Sequence, residues 1–130
     1  RLVGSEMCIR DSIYTDAEGE THFDEIEEPE IEFRSNAKYT RAIDAYGVMF
    51  RTTEPLGDNP PLGEWHTDPQ RQYVMFLNGD TEIEVSDGEK RRFKSGDTFL
   101  VEDTYGKGHR NLRFHKDPEL WAFARSFGKG

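Results

Sequence analysis

Thr81-Glu82-Ile83-Glu84-Val85-Ser86-Asp87-Gly88-Glu89-Lys90-Arg91-Arg92-Phe93 is the stretch that decides the fold. Ile83 and Val85 alternate with Glu82 and Glu84, which gives an extended segment one apolar face and one wet face. Asp87-Gly88 then predicts a two-residue hairpin turn of type I′, a turn that needs positive φ at both central residues. Glu89 to Phe93 is the returning strand. On the N-terminal side, Gln72 to Leu77 is a nearly continuous apolar run closed by Asn78-Gly79. Before it, Val48 to Thr53 is β-branched and aromatic, and runs into a Pro- and Gly-rich loop from Glu54 to Gly63. On the C-terminal side, Ser95-Gly96-Asp97 marks a second turn, followed by strands at Thr98 to Glu102, His109 to Phe114 and Leu120 to Phe127. Tyr39 to Ala45 fits either one helical turn or a further strand. Short strands joined by tight turns, with no long helical period, predict an all-β sandwich or barrel.

A chain of 130 residues has room for one domain with a core that needs no disulfide or metal staple. Its single cysteine, Cys8, rules out a disulfide framework or a cysteine-rich zinc site within one chain. No apolar run approaches the roughly 18 residues of a membrane helix, so no membrane partner is expected and a cytoplasmic location is.

The net charge of -9 is concentrated in one place. Asp16 to Glu32 holds nine carboxylates and no Lys or Arg, whereas residues 33–130 balance at fifteen against fifteen. This is an acidic arm, either a lure for cations and basic partners or a solvated face. Nucleic-acid binding is disfavoured, because phosphate contact needs a basic face. Arg1 to Ser12 resembles the translated sequencing-adapter read-through found at the ends of gene models. It is set aside as a non-native leader, and Cys8 with it. The expected division is thus a leader at 1–12, an acidic N-terminal arm at 13–46, and a barrel at 47–130. Ile31 and Phe33, alternating with Glu30 and Glu32, give the arm an edge strand.

There is no Gly-x-Gly-x-x-Gly after a strand, no P-loop, and no serine in a nucleophile elbow. Chemistry rests instead on two histidines, His66 and His109, about forty residues apart with strands between them. Brought together inside a small barrel, they would begin the first shell of a divalent metal.

Gly63-Glu64-Trp65-His66-Thr67-Asp68-Pro69-Gln70-Arg71-Gln72, with Gly79 following, resembles the first motif of the cupins. Gly96-Asp97, then Glu102-Asp103 and Gly106-Lys107-Gly108-His109, resembles the second. The similarity, to the small single-domain cupins, spans about Gly47 to Phe127. It implies a cupin-like jelly-roll β-barrel with an N-terminal arm, usually a homodimer, whose inward motif residues hold one divalent transition metal (Zn, Fe, Mn or Ni). The chain departs from the family pattern at two positions. Asp68 stands where a second histidine is expected, and Gln72 where a glutamate is expected.

The resemblance implies metal ligands at His66, Gln72 and His109. For Gln72 the other reading is a buried amide that orients a neighbour. Asp68 shares a face with His66 by alternation, but Pro69 follows it, so it reads either as a ligand and proton-transfer partner or as a surface turn residue. Tyr105 is the other candidate for proton transfer. Trp65, Phe50 and Phe76 are candidate pocket aromatics, with core packing as the alternative. Arg51 and Arg71 could clamp a carboxylate or end in surface ion pairs. His22 could fold over the barrel mouth, and His115 reads as solvent-facing. Two histidines and a neutral carboxamide leave a dication uncompensated, which favours a small anionic ligand or a metal-bound hydroxide. The expected activity is Lewis-acid or metal-hydroxide chemistry on a small anionic metabolite. The alternative is a non-catalytic binding module with a degenerate or empty site.

Overall fold

Only Gly88, at φ 97°, has a positive φ in the turn that reverses the chain after Val85. Val85 N–H donates to Glu89 O at 3.0 Å and Gly88 N–H to Val85 O at 3.0 Å, so the loop has three residues and ends on a left-handed glycine. The type I′ turn expected at Asp87-Gly88 is therefore replaced by this longer loop, since Asp87 does not enter the left-handed region. The two-residue geometry occurs instead at Ser35-Asn36, with φ values of 50° and 64°.

The computed structural model describes residues 2–3, 7–55, 63–114 and 117–127. Eleven strands follow in chain order: β1 (Leu2–Val3), β2 (Met7–Thr15), β3 (Thr21–Arg34), β4 (Ala37–Thr40), β5 (Ala45–Thr52), β6 (Gln72–Asn78), β7 (Asp80–Val85), β8 (Lys90–Lys94), β9 (Thr98–Val101), β10 (His109–Arg113) and β11 (Leu120–Ser126). No helix occurs among the described residues. The large sheet runs β4-β3-β2-β9-β6-β11-β5 with β1 beside β2, and the small one runs β10-β7-β8. β2 and β9 are parallel, and the other strand pairs are antiparallel.

The two sheets face each other across the core as a jelly-roll-like sandwich. Gln72, Val74 and Phe76 of β6 are buried, alternating with the half-buried Tyr73 and Met75. Thr81, Ile83 and Val85 do the same in β7. The period of two points these side chains inward from opposite layers. Phe76 and Phe99 of the large sheet stack with Phe93 of the small one at ring-centroid distances of 5.8 and 4.5 Å, and Trp121 meets Phe76 edge-on at 4.4 Å. Phe76, 1% exposed, is a core residue and not a pocket aromatic.

The boundary expected at residue 12 runs through β2, where Asp11, Ser12 and Ile13 pair with Phe99, Leu100 and Val101. Nor is the acidic stretch simply appended at an edge. β3 pairs with β2 over its first half and with β4 over its second, and β4 is the edge. The segment from Tyr39 to Ala45 contributes the end of β4 and the start of β5, with irregular backbone between them. β5 closes the opposite edge. Phe50 there is 70% exposed, on the strand face opposite Arg51, so it lines no cavity of the site.

The loop from Asp16 to Glu20 is tied down by His22, whose Nε2 and Nδ1 each lie 2.7 Å from a carboxylate oxygen, of Asp16 and Asp87 respectively. Tyr14 stacks against the ring, and a neighbouring Glu20–Lys107 ion pair pins the same loop. His22 is thus engaged away from the histidine pair. The Asp16 hydrogen bond, then that of Asp87, raises its proton affinity, and Asp16 is correspondingly held below the usual carboxylate range, chiefly by His22. A histidine whose folded pKa is raised stabilises the fold below its unfolded value near 6.5, and that contribution is lost as pH rises through the folded pKa. Thermal midpoints are therefore expected to fall as pH is raised through the near-neutral range. The fall should be smaller in His22→Gln, and an NMR titration of His22 should give a midpoint above 6.5. A midpoint below 6.5 would refute the clamp.

Candidate metal centre

His66 and His109 are brought together by backbone before side chain. Each N–H donates to the other's carbonyl at 2.9 Å, an isolated antiparallel bridge beside the start of β10. Gly63 N–H extends the pairing to Asn111 O at 2.9 Å. The approach requires Gly108, which has φ 75° and whose missing Cβ would sit 2.2 Å from His66 O. The imidazole centroids are consequently 4.5 Å apart. On the other side, Asp68 N–H donates to Asp103 O at 3.1 Å, which brings the Asp68 side chain to the same place. One nitrogen of each imidazole and one Asp68 carboxylate oxygen lie within 4.8 Å of one another.

The hydrogen bonds assign which nitrogens point at that centre. His66 Nδ1 lies 2.9 Å from Glu64 O. A carbonyl only accepts, so Nδ1 carries the proton and Nε2 keeps its lone pair. His109 Nδ1 lies 2.6 Å from Asp103 Oδ2 inside the core, and its Nε2 lies 3.9 Å from Asp68 Oδ1. His109 is 4% exposed and Asp103 fully buried. A carboxylate behind a ligating histidine fixes its tautomer and orientation and raises its basicity. Burial works against charge on His109, but the Asp103 hydrogen bond and charge, with Asp68 nearby, outweigh it and leave its proton affinity above the ordinary value. Burial pushes the Asp103 carboxyl up, with His109 opposing.

Gln72 stands one step behind the donors. Its Nε2 donates to Asp68 Oδ2 at 2.9 Å, which turns Asp68 Oδ1 toward His109. Asp68 thus joins the two histidines as a candidate donor, and the Gln72 carboxamide, expected as a ligand or as a buried amide that orients a neighbour, lies beside it. The carboxamide spends its N–H on the carboxylate, and the carboxylate completes the set with the two imidazoles. Gln72 Oε1 is buried without a hydrogen-bond partner among the described residues, in the same cavity of about 120 Å³.

Two imidazoles and a carboxylate are a donor set for zinc or non-haem iron. Donors 2.0–2.2 Å from one tetrahedral zinc lie about 3.3–3.6 Å apart, so a triad whose atoms lie within 4.8 Å of one another closes by up to about 1.4 Å to hold one ion. The residues fit a divalent transition metal, with the orphaned Gln72 oxygen beside it.

A groove of about 480 Å³ adjoins the cavity, lined by Trp65, His66, Arg51, Asn111, Arg113 and Trp121 among others. Trp65 and Arg51, candidate pocket residues from the sequence, are among its lining. Desolvation, and then the charge of Arg113, lowers the proton affinity of Arg51. Arg71 is diverted to Glu102 at 3.0 Å and the Phe127 carbonyl at 2.8 Å. Tyr105, expected as a proton-transfer partner, instead lies exposed with its hydroxyl 3.2 Å from Thr15 O, and it lines neither cavity. The expectation for His115 lies outside the described residues. The sequence reading assigned no role to Asp103, Asn111 or Arg113. Asp103 carried a signal, as the second of two carboxylates, Glu102 and Asp103, that follow the apolar run Phe99-Leu100-Val101, where burial demands a partner.

If Asp103 orients His109, Asp103→Asn should weaken metal binding by about 10–100-fold, the usual effect of losing such a carboxylate. Competition against a chromophoric chelator measures this. Unchanged affinity would remove Asp103 from the site.

No family model matches the chain, and no curated protein matches it. Among solved structures the chain is similar to protein NMB1881 from Neisseria meningitidis, at 23% identity, covering 65% of this chain and 79% of that one with a TM-score of 0.45. A likeness at that level carries no argument about function. The fold and site define an all-β, jelly-roll-like protein with a candidate His-Asp-His metal site.

Proposed function

We propose that this chain is a small cupin-type metalloenzyme acting on a small anionic molecule, with one divalent metal held by His66, Asp68 and His109. The observation that supports this reading is the convergence of three donor atoms within 4.8 Å, with both histidines anchored through the nitrogen that faces away. Unpartnered exposed carboxylates often cluster, but they do not come with imidazoles locked into one tautomer by a carbonyl and a buried carboxylate. Three protein ligands leave coordination positions open for a water or a substrate oxygen. A metal there would polarise a carbonyl or carboxylate as a Lewis acid, or activate bound water. Asp68, held by Gln72, supplies the one formal negative charge among the three donors.

Elemental analysis after purification without added metal, and again after loading with zinc or iron(II), tests the proposal. One metal per chain is expected in the wild type, and far below one in His66→Ala and His109→Ala. A wild type that cannot be loaded would end the metalloenzyme reading.

A further inference from the structure

β10 carries a row of functional side chains on its inward face. His109, Asn111 and Arg113 alternate with Arg110 and Leu112, and the period of two puts them on one side. The row links the two cavities: His109 and Asn111 line the one containing the metal donors, and Asn111 and Arg113 line the groove beside it. At about 3.3 Å per residue, the row extends roughly 13 Å from the metal end to the guanidinium end. Arg51 faces the row from the other sheet and lines both cavities.

The polar groups along the row lack protein partners that would explain them. Among the described residues neither Arg51 nor Arg113 forms a contact ion pair with a carboxylate, although the charges of Glu119 and Asp68 reach Arg51 from further off. Arg113 spends two nitrogens on the Glu54 and Asp117 carbonyls, at 3.0 and 2.9 Å, and its buried Nε has no acceptor. Arg51 lies over the Trp121 ring at 4.7 Å. A guanidinium held over an indole face keeps its N–H groups available as a fork for a planar carboxylate. The indole is itself held, since Trp121 Nε1–H donates to the buried Glu119 carboxylate at 3.0 Å. Midway along the row, Asn111 Oδ1 is a buried acceptor with no donor. From one end to the other, the site offers metal ligands, then an acceptor, then two cations.

We propose that the ligand is a hydroxycarboxylic acid of sugar-acid size, its carboxylate held by Arg51 and Arg113, a hydroxyl donating to Asn111, and its far oxygen meeting the metal. This rests on the metal reading only for the last contact. A plain fatty carboxylate would leave Asn111 unpaired, and a neutral sugar would leave both guanidinium groups without a carboxylate in direct contact.

Gluconate, hexanoate, glucose and inorganic phosphate are matched probes for calorimetric titration of the zinc-loaded protein. Gluconate is expected to bind at least about tenfold more tightly than each of the others, a difference of about 1.4 kcal/mol. Arg51→Met should abolish that preference and leave the zinc content unchanged, and Arg51→Lys should restore only part of it. Asn111→Leu should bring gluconate down to the affinity of hexanoate. Gluconate binding no better than glucose, phosphate binding more tightly than gluconate, or an Arg51→Met protein that binds gluconate as the wild type does would each overturn the proposal. If the wild type proves free of metal yet binds gluconate through Arg51, the metal reading fails and the anion site stands. If zinc is bound but gluconate affinity ignores Arg51, the reverse holds.

Discussion

Gly108→Ala is expected to lower metal affinity by about a hundredfold or more, roughly 2.7 kcal/mol, without altering a single donor atom. Gly108 sits at φ 75°, where an L side chain is strained, and an added Cβ would lie 2.2 Å from His66 O and 2.5 Å from His66 C. Both are backbone atoms, so no side chain can swing aside to make room. The segment carrying His66 must move off β10, which breaks the reciprocal 2.9 Å bridge that brings the two imidazoles together. Gly88→Ala is the matched control. It introduces a comparable backbone conflict at φ 97° but meets nothing within 4 Å, and it lies in the β7–β8 turn. The control should lose some stability and keep its metal. Equal metal affinity in Gly108→Ala and wild type would show that the histidine bridge does not govern the site.

The second large effect is on stability. Phe76→Ala is expected to cost about 3–5 kcal/mol, the range for deleting a large buried aromatic. Phe76 packs against Phe93 across the two sheets, and against Phe99 and Trp121 within its own. Truncation therefore removes one of the rings that join the layers and opens a void among Phe93, Phe99 and Trp121. Urea denaturation should show the midpoint falling at nearly constant slope. A loss under about 1 kcal/mol would mean that the aromatic cluster does not hold the sandwich together.

Much of this architecture is legible in local pattern. Alternation at Ile83 and Val85, the apolar run of β6 and the glycines at 88 and 96 mark strands and reversals, because pleat and left-handed turns leave direct traces in residue type. Pairing between distant strands leaves no such trace. β2 joins β9 in parallel across more than eighty residues, and its membership of the large sheet depends on what lies opposite. The turn at Asp87-Gly88 shows a finer limit, since the same dipeptide suits a two-residue loop and the second half of a three-residue one.

The site divides in the same way. His66 and His109 stand out through spacing and motif context, and both are at the centre. The hydrogen bond from Gln72 to Asp68 depends on which atom of a carboxamide meets which oxygen, a matter of three-dimensional hydrogen-bond direction. Tyr105 sits two residues past the motif carboxylate Asp103, yet its hydroxyl is taken by the backbone of the β2–β3 turn. Asn111 and Arg113 look like an ordinary strand in sequence. Only the facing Arg51 and Trp121 reveal what that strand presents.

The most direct test of the metal centre is X-ray absorption at the zinc edge of the loaded protein. Outer-shell scattering from two imidazoles and a first shell of nitrogen and oxygen at about 2.0–2.1 Å are expected, with one imidazole lost in His109→Ala. A spectrum without imidazole scattering, or one unchanged by His109→Ala, would contradict a metal held by His66, Asp68 and His109.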